Sequence, residues 1–335
     1  MKIAVVIANN NVFPVAPKKD IGFGYGGYSR FYEGLAYGMN ELGGEHELWI
    51  VGPMETKRGV FAKNVVKLSS KIRCSKESYL TEMSLAINRF NPDRVIIQNP
   101  SLIRSGVVNN FKHVCRVAGY LYHGFINDDK VNYVVNSNWL NVHYNKSFPV
   151  IYQTCCPTDV EYCDSKEDYW LFVSNLSRGF KEKGLDFACR FAAKRNIRLL
   201  VAGPVGGDTR SLIKMRSLTN DCVSYVGPIV GGVKKDFIKK AKGIFYPIDK
   251  SCKESGSTIV VEAAFCGTPV VTTNVGCMPE YVNNGVTGFV CNNPADFKVA
   301  CNDIGNISHL DCLEWAKKNF AQEKIAKQYL EELGV

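Results

Sequence analysis

No apolar run in this chain of 335 residues approaches the ~20 needed to cross a bilayer as a helix. The opening Met1-Lys2-Ile3-Ala4-Val5-Val6-Ile7-Ala8 is too short for a signal-peptide core and passes directly into Asn9. It reads instead as a first buried strand. No Cys-x-x-Cys occurs among the 13 cysteines, two of which, Cys155 and Cys156, are adjacent, while the rest scatter through apparent strands and helices. That pattern argues against a disulfide framework and for reduced, mostly buried thiols in a cytoplasmic protein. The five histidines, His46, His113, His123, His143 and His309, show no metal-ligand spacing. Neither a repeat of ~20–50 residues nor a low-complexity tract is present. What remains is a globular chain: 46% apolar content excludes a disordered one, and the length suffices for two domains of ordinary size, each with its own core.

Strand and helix patterns alternate through the first half, with strands at 3–8, 47–51, 94–98, 116–122 and 133–136 and helices at 28–42 and 78–89. This predicts an α/β domain with a parallel sheet. Between the first strand and the first helix, Gly22, Gly24 and Gly27 satisfy Gly-x-Gly-x-x-Gly. A dinucleotide-binding oxidoreductase is therefore one reading, weakened because that fingerprint should follow its strand without the dozen or so residues that intervene here. A plain flexible loop is the other.

Near the C-terminus, Glu254 and Glu262 stand eight positions apart around the small-residue loop Ser255-Gly256-Ser257-Thr258. Ser257 is placed to cap a helix over 258–266, whose free amides and dipole favour a diphosphate. Glu254 can accept hydrogen bonds from sugar hydroxyls, and Glu262, about one turn into the helix, can take a vicinal diol such as ribose, because an ionised carboxylate only accepts. An ordinary buried helix with both carboxylates on solvated edges is the alternative that the residues leave open.

The segment resembles the Glu-x7-Glu signature of retaining family 4 glycosyltransferases with the GT-B fold, followed by the small-residue run Cys266-Gly267-Thr268-Pro269-Val270-Val271. Further stretches fall in the family's order: a strand at 169–174 and then Lys183-Gly184, strand and Gly-Pro at 197–203 and 222–227, a strand at 243–248, Gly276-x-x-Pro279-Glu280, and a hairpin over 285–290. The resemblance implies an α/β architecture of two Rossmann-like parallel-sheet domains facing across a cleft. The expected limits are 1–155 for the acceptor side, 156–318 for nucleotide-sugar binding, and 319–335 as a C-terminal helix packing back on the first domain. It also implies roles. Lys183 and an arginine hold the diphosphate leaving group; the family's arginine position is Asn175 here, and Arg178 is the nearest guanidinium. Glu254 orients the sugar and Glu262 the ribose. Gly26, Gly27, Gly256, Ser257, Thr258 and Ile259 lie against the donor, backbone around Pro228 and Ile229 selects the base, and His123 approaches the donor sugar. A UDP- or GDP-sugar is the expected donor. No metal or cofactor is expected, and no Asp-x-Asp occurs.

Charge adds a separate expectation. Residues 1–150 hold 18 Lys and Arg against 11 Asp and Glu, so seven of the nine net positive charges lie there. Lys57, Arg58, Lys63, Lys67, Lys71, Arg73 and Lys76 fall in a stretch, 57–76, without an acidic residue. Such a stretch attracts an anionic acceptor or surface. The first candidate is a membrane, with Val60-Phe61-Ala62 and Val65-Val66 lying at its interface, which would make the protein cytoplasmic and peripheral. Nucleic acid is the second, through glycosylation of hydroxymethylated DNA bases. A solvated face is the plainest. A nucleotide-sugar-binding module without transfer activity, suggested by Asn175, completes the alternatives.

Overall fold

Ile3, Ala4, Val5 and Val6 are all fully buried, as in a strand covered on both faces, and β1 (Lys2–Val6) forms the middle of a six-stranded sheet. The structure, a computed structural model, describes residues 1–6, 27–43, 47–53, 64–68, 76–97, 113–118, 131–176, 180–205 and 209–335. These divide into one unit of Met1–Pro157 with Ala321–Val335 and a second of Thr158–Phe320. In the first unit, α1 (Gly27–Leu42) is followed by β2 (Glu47–Pro53), β3 (Asn64–Leu68), α2 (Lys76–Phe90), β4 (Arg94–Ile97), β5 (His113–Ala118), β6 (Val131–Val135) and α3 (Asn138–Tyr144). All pairings are parallel, and the order is β3-β2-β1-β4-β5-β6.

The second unit repeats the plan. Its strands are β7 (Glu167–Val173), β8 (Leu199–Ala202), β9 (Val223–Gly227), β10 (Ala241–Tyr246), β11 (Val270–Thr273) and β12 (Gly288–Cys291), in the order β12-β11-β10-β7-β8-β9. Helices α4 (Leu185–Arg195), α5 (Thr209–Leu218), α6 (Gly231–Lys240), α7 (Thr258–Phe265), α8 (Met278–Tyr281), α9 (Pro294–Asp303) and α10 (His309–Phe320) connect and follow them. Counted from the first strand of each unit, both orders are 3-2-1-4-5-6, the Rossmann arrangement. In such sheets the connections leave in opposite directions from the two central strands, opening a crevice at their carboxyl ends. In the second unit those strands are β7 and β10.

Val65 and Val66 lie in β3, where their backbone pairs with Ile50 and Val51 and β-branched residues extend the sheet. Two expectations need correction. The strand expected over 116–122 begins at His113, because His113 and Val114 already register with Arg94 and Val95. The hairpin expected over 285–290 is instead a tight turn closed by Gly285 N–H donating to Gly288 O at 2.8 Å, followed by β12, which runs parallel to β11.

The chain returns to the first unit through α11 (Gln322–Glu332). Ile325, Tyr329 and Leu333 join Phe31, Tyr32, Leu35 and Met39 of α1 in one buried cluster, with the rings of Phe31 and Tyr329 6.1 Å apart. Gln322 Nε2 donates to Cys155 O at 3.0 Å, and Arg94 Nε to Leu333 O at 2.9 Å. The cysteines of residues 131–335 are all free thiols. No helix among the described residues is long and apolar enough to cross a membrane.

Candidate functional site

Each strand beside the crevice of the second unit delivers a charged side chain to its carboxyl end. Lys183 lies in the connection from β7 to α4, and Glu254 in the connection from β10 to α7. Lys183 Nζ forms an ion pair with Glu254 Oε2 and lies 5.8 Å from the centre of the Tyr246 ring. Two glycines permit this approach. Gly184 has φ +73°, and a Cβ there would stand 1.8 Å from Pro247 O, so only a residue without a side chain lets the two loops meet. Asp249 N–H donating to Glu182 O at 3.1 Å closes the same contact. Gly276 has φ +61°, and its Cβ would come within 2.3 Å of Glu254 O; the next residue, Cys277, donates its N–H to that oxygen at 2.9 Å.

Glu254 is only 8% exposed, so its charge needs a partner. Burial opposes the charge on Lys183, but the Tyr246 oxygen and the Glu254 carboxylate outweigh it and hold the ammonium well above the ordinary lysine range. Cys252 Sγ lies 3.7 Å from Glu254 Oε2, and burial pushes its thiol up to about 11. Burial likewise raises Cys277 and the Tyr246 phenol. These groups stay protonated near neutrality, and the ion pair carries the local charge.

Ser257 occupies the N-cap position of α7, but its side chain does not cap the helix. Its Oγ is buried without a hydrogen-bond partner, a correction to the expected cap and an uncommon state for a buried hydroxyl. Gly256 and Ile259 are half-buried beside it, and Thr258 is buried. Glu262 is 2% exposed on the inner face of α7, not at a solvated edge, and its Oε1 accepts from Lys234 Nζ of α6 at 2.7 Å. Ile229 is half-buried and Pro228 exposed in the connection from β9 to α6.

The two carboxylates of the eight-residue spacing thus each meet a lysine. Sequence reasoning singled out Lys183 but missed Lys234, Asp159, Tyr246 and Cys252. Nothing local marks Lys234 among the lysines of α6. Arg178, His123, Gly26, Lys57, Arg58, Lys63, Lys71 and Arg73 lie outside the described residues. Gly27 is described only as the first residue of α1 and Lys67 only as backbone of β3. No group of three or more His, Cys, Asp or Glu suited to a metal ion occurs among the described residues. Chemically, an ammonium in the connection that leads to a helix N-terminus suits an anion, and the buried carboxylates suit hydroxyls.

Residues 167–305 match the family model described as "Glycosyl transferases group 1". Over 101 residues the chain is 34% identical to a D-inositol 3-phosphate glycosyltransferase of Actinosynnema mirum, covering 29% of this chain and 24% of that protein. Over 153 residues it is 30% identical to a D-inositol 3-phosphate glycosyltransferase of Mycobacterium sp. (strain KMS), covering 44% and 32%. The matches thus span about a quarter to a third of those relatives. Among solved structures, AviGT4, a glycosyltransferase involved in avilamycin A biosynthesis, superposes with a TM-score of 0.76 at 22% identity over 99% of this chain and 97% of that one. Anabaena HepE, solved with UDP and glucose, gives 0.69 at 14% identity over 100% and 99%. The shared fold is the two-Rossmann-unit GT-B fold.

Proposed function

The chain carries a group 1 glycosyltransferase segment on a GT-B fold, and from that premise we propose that it transfers a sugar from a nucleotide-sugar donor to a hydroxyl acceptor, with retention at the anomeric carbon and without a metal. The observation that carries this reading is the meeting of Lys183 and Glu254 at the carboxyl ends of β7 and β10, beside the start of α7 where Ser257 Oγ lacks a partner. In this reading the α7 amides and Lys183 receive the diphosphate. Glu254 orients sugar hydroxyls, and its pairing with Lys183 holds both side chains in place before the donor arrives. Glu262 takes the ribose diol, and Ile229 lies against the base. Glycan and lipid-linked hydroxyls are the acceptor classes, and a UDP- or GDP-sugar is the donor. The buried thiols suit a reducing, cytoplasmic setting.

As the donor bond breaks, negative charge grows on the departing diphosphate, and a fixed ammonium stabilises that charge more than it stabilises the bound donor. Lys183→Ala should therefore lower kcat by about 10²–10³-fold with a smaller change in KM. An unchanged kcat would remove Lys183 from the chemistry. The reading as a whole is tested by thermal stabilisation and slow hydrolysis with UDP-, GDP-, ADP- and dTDP-sugars in the presence of chelator. Stabilisation by one donor with release of its nucleotide supports a metal-independent transferase. Binding without turnover on any acceptor points to an inactive binding module, in keeping with Asn175 at the arginine position. If no donor binds, the reading fails.

A further inference from the structure

Lys234 lies in the first turn of α6, and its ammonium stands between two carboxylates that are almost wholly buried. Glu262 Oε1 is 2.7 Å away and Asp159 Oδ2 3.8 Å away, and each acid side chain is 2% exposed. The three residues come from separate parts of the second unit: Asp159 at the end of the 3₁₀ turn Pro157–Asp159, Lys234 in α6 and Glu262 in α7. A buried carboxylate needs a charged or hydrogen-bonding partner, and here one ammonium serves two. The neighbouring Lys235 turns instead to Glu161 at 2.8 Å on the exposed face, so the geometry singles out Lys234. Its backbone N–H also donates to Val230 O at 3.3 Å, which ties the same residue to the loop of Pro228 and Ile229 at the head of α6.

We propose that Lys234 is the positioning residue for ribose recognition. By holding Glu262 Oε1 it fixes the rotation of that carboxylate, so that a ribonucleoside diphosphate with its 2′,3′-diol is selected over the 2′-deoxy form. The inference rests on the nucleotide-sugar reading above. An anionic acceptor takes two hydrogen bonds from a vicinal diol only when both of its oxygens are set in orientation, and losing one of a matched set leaves a buried polar group unpaired. Asp159 is a second, more distant counterion to the same ammonium, at 3.8 Å.

The test is calorimetric binding of UDP, GDP and ADP and of their 2′-deoxy counterparts to the wild-type protein, Lys234→Met, Lys234→Arg and Glu262→Gln, with melting temperatures measured in parallel. The wild type should prefer the ribonucleotide, and Lys234→Met should lose about tenfold of that preference. Lys234→Arg should restore part of it, and the Lys234→Met/Glu262→Gln double variant should be no worse than either single variant. Should Lys234→Met not fold, Lys234→Gln, which stays polar but is one atom shorter and uncharged, replaces it with the same expectation. A lowered melting temperature with an intact ribose preference would mean that Lys234 is a structural strut, and overturns the inference alone. Wild-type protein that binds a nucleotide without preference for ribose overturns it as well. Wild-type protein that binds no nucleotide overturns the functional reading and this inference together.

Discussion

At the scale of single residues, the site depends on atoms that are missing as much as on charges that are present. Lys183 reaches Glu254 because Gly184 lets the loop after β7 press against Pro247. An alanine at 184 meets two obstacles, the positive φ and a carbonyl oxygen 1.8 Å from its Cβ, and neither can yield without moving the backbone. Gly184→Ala should destabilise the protein by more than ~1 kcal/mol and lower donor affinity, read by urea denaturation and by donor titration. A variant with wild-type stability would show that the two loops need not touch. The same reasoning separates Glu254 from an ordinary surface acid. It is held from its backbone by Cys277 and from its side chain by Lys183, so its carboxylate is set by two loops at once.

At the scale of elements, α6 and α7 act as a pair, and Lys166 joins their ends. Its Nζ donates to Lys239 O at 2.8 Å, to Cys266 O at 3.1 Å and to Thr268 Oγ1 at 3.0 Å. Two of these acceptors are carbonyls at helix C-termini, which lack partners in their own helices and carry the negative end of the dipole. Thr268 Oγ1 in turn donates to Ile238 O at 2.8 Å. Burial lowers the pKa of Lys166, yet three acceptors match the three donors of an ammonium. Lys166→Met should cost about 1.5–3 kcal/mol, the range for hydrogen bonds to a charged group, measured by chemical denaturation. Because Lys234 lies at the other end of α6 and Glu262 one turn before the C-terminus of α7, the variant should also weaken nucleotide binding. A change below ~0.5 kcal/mol would mean that the helix ends are held by other contacts.

At the scale of the whole molecule, the last helix belongs to the unit in which the chain began. Ile325, fully buried against α1, is a core residue of the first unit although it lies more than 280 positions from that helix. Ile325→Ala should therefore destabilise by about 2–5 kcal/mol, and hydrogen exchange should show the loss in α1 and β1; protection lost only in 158–320 would contradict the packing. Much of the fold was legible in the sequence. The run Ile3-Ala4-Val5-Val6, the periodic helix ending at Leu42 and the two glutamates eight apart are local patterns, and local patterns report which side of an element is buried. The family resemblance made from Glu254, Glu262, Lys183 and the glycine-bearing turns holds as well. Other features were not legible for a definite reason. β12 runs parallel to β11, and Val65-Val66 sits in a sheet edge, because strand direction and order are set by where chain segments meet. Lys183 and Glu254 are 71 positions apart, and Lys234 looks locally like every other lysine of α6. The sequence by itself determined the α/β class and the residue types able to bind a diphosphate and a diol. Only the tertiary structure decided which lysine faces which carboxylate, since that pairing follows from the order of strands around β7 and β10 and from burial that leaves no charge there without a counterion.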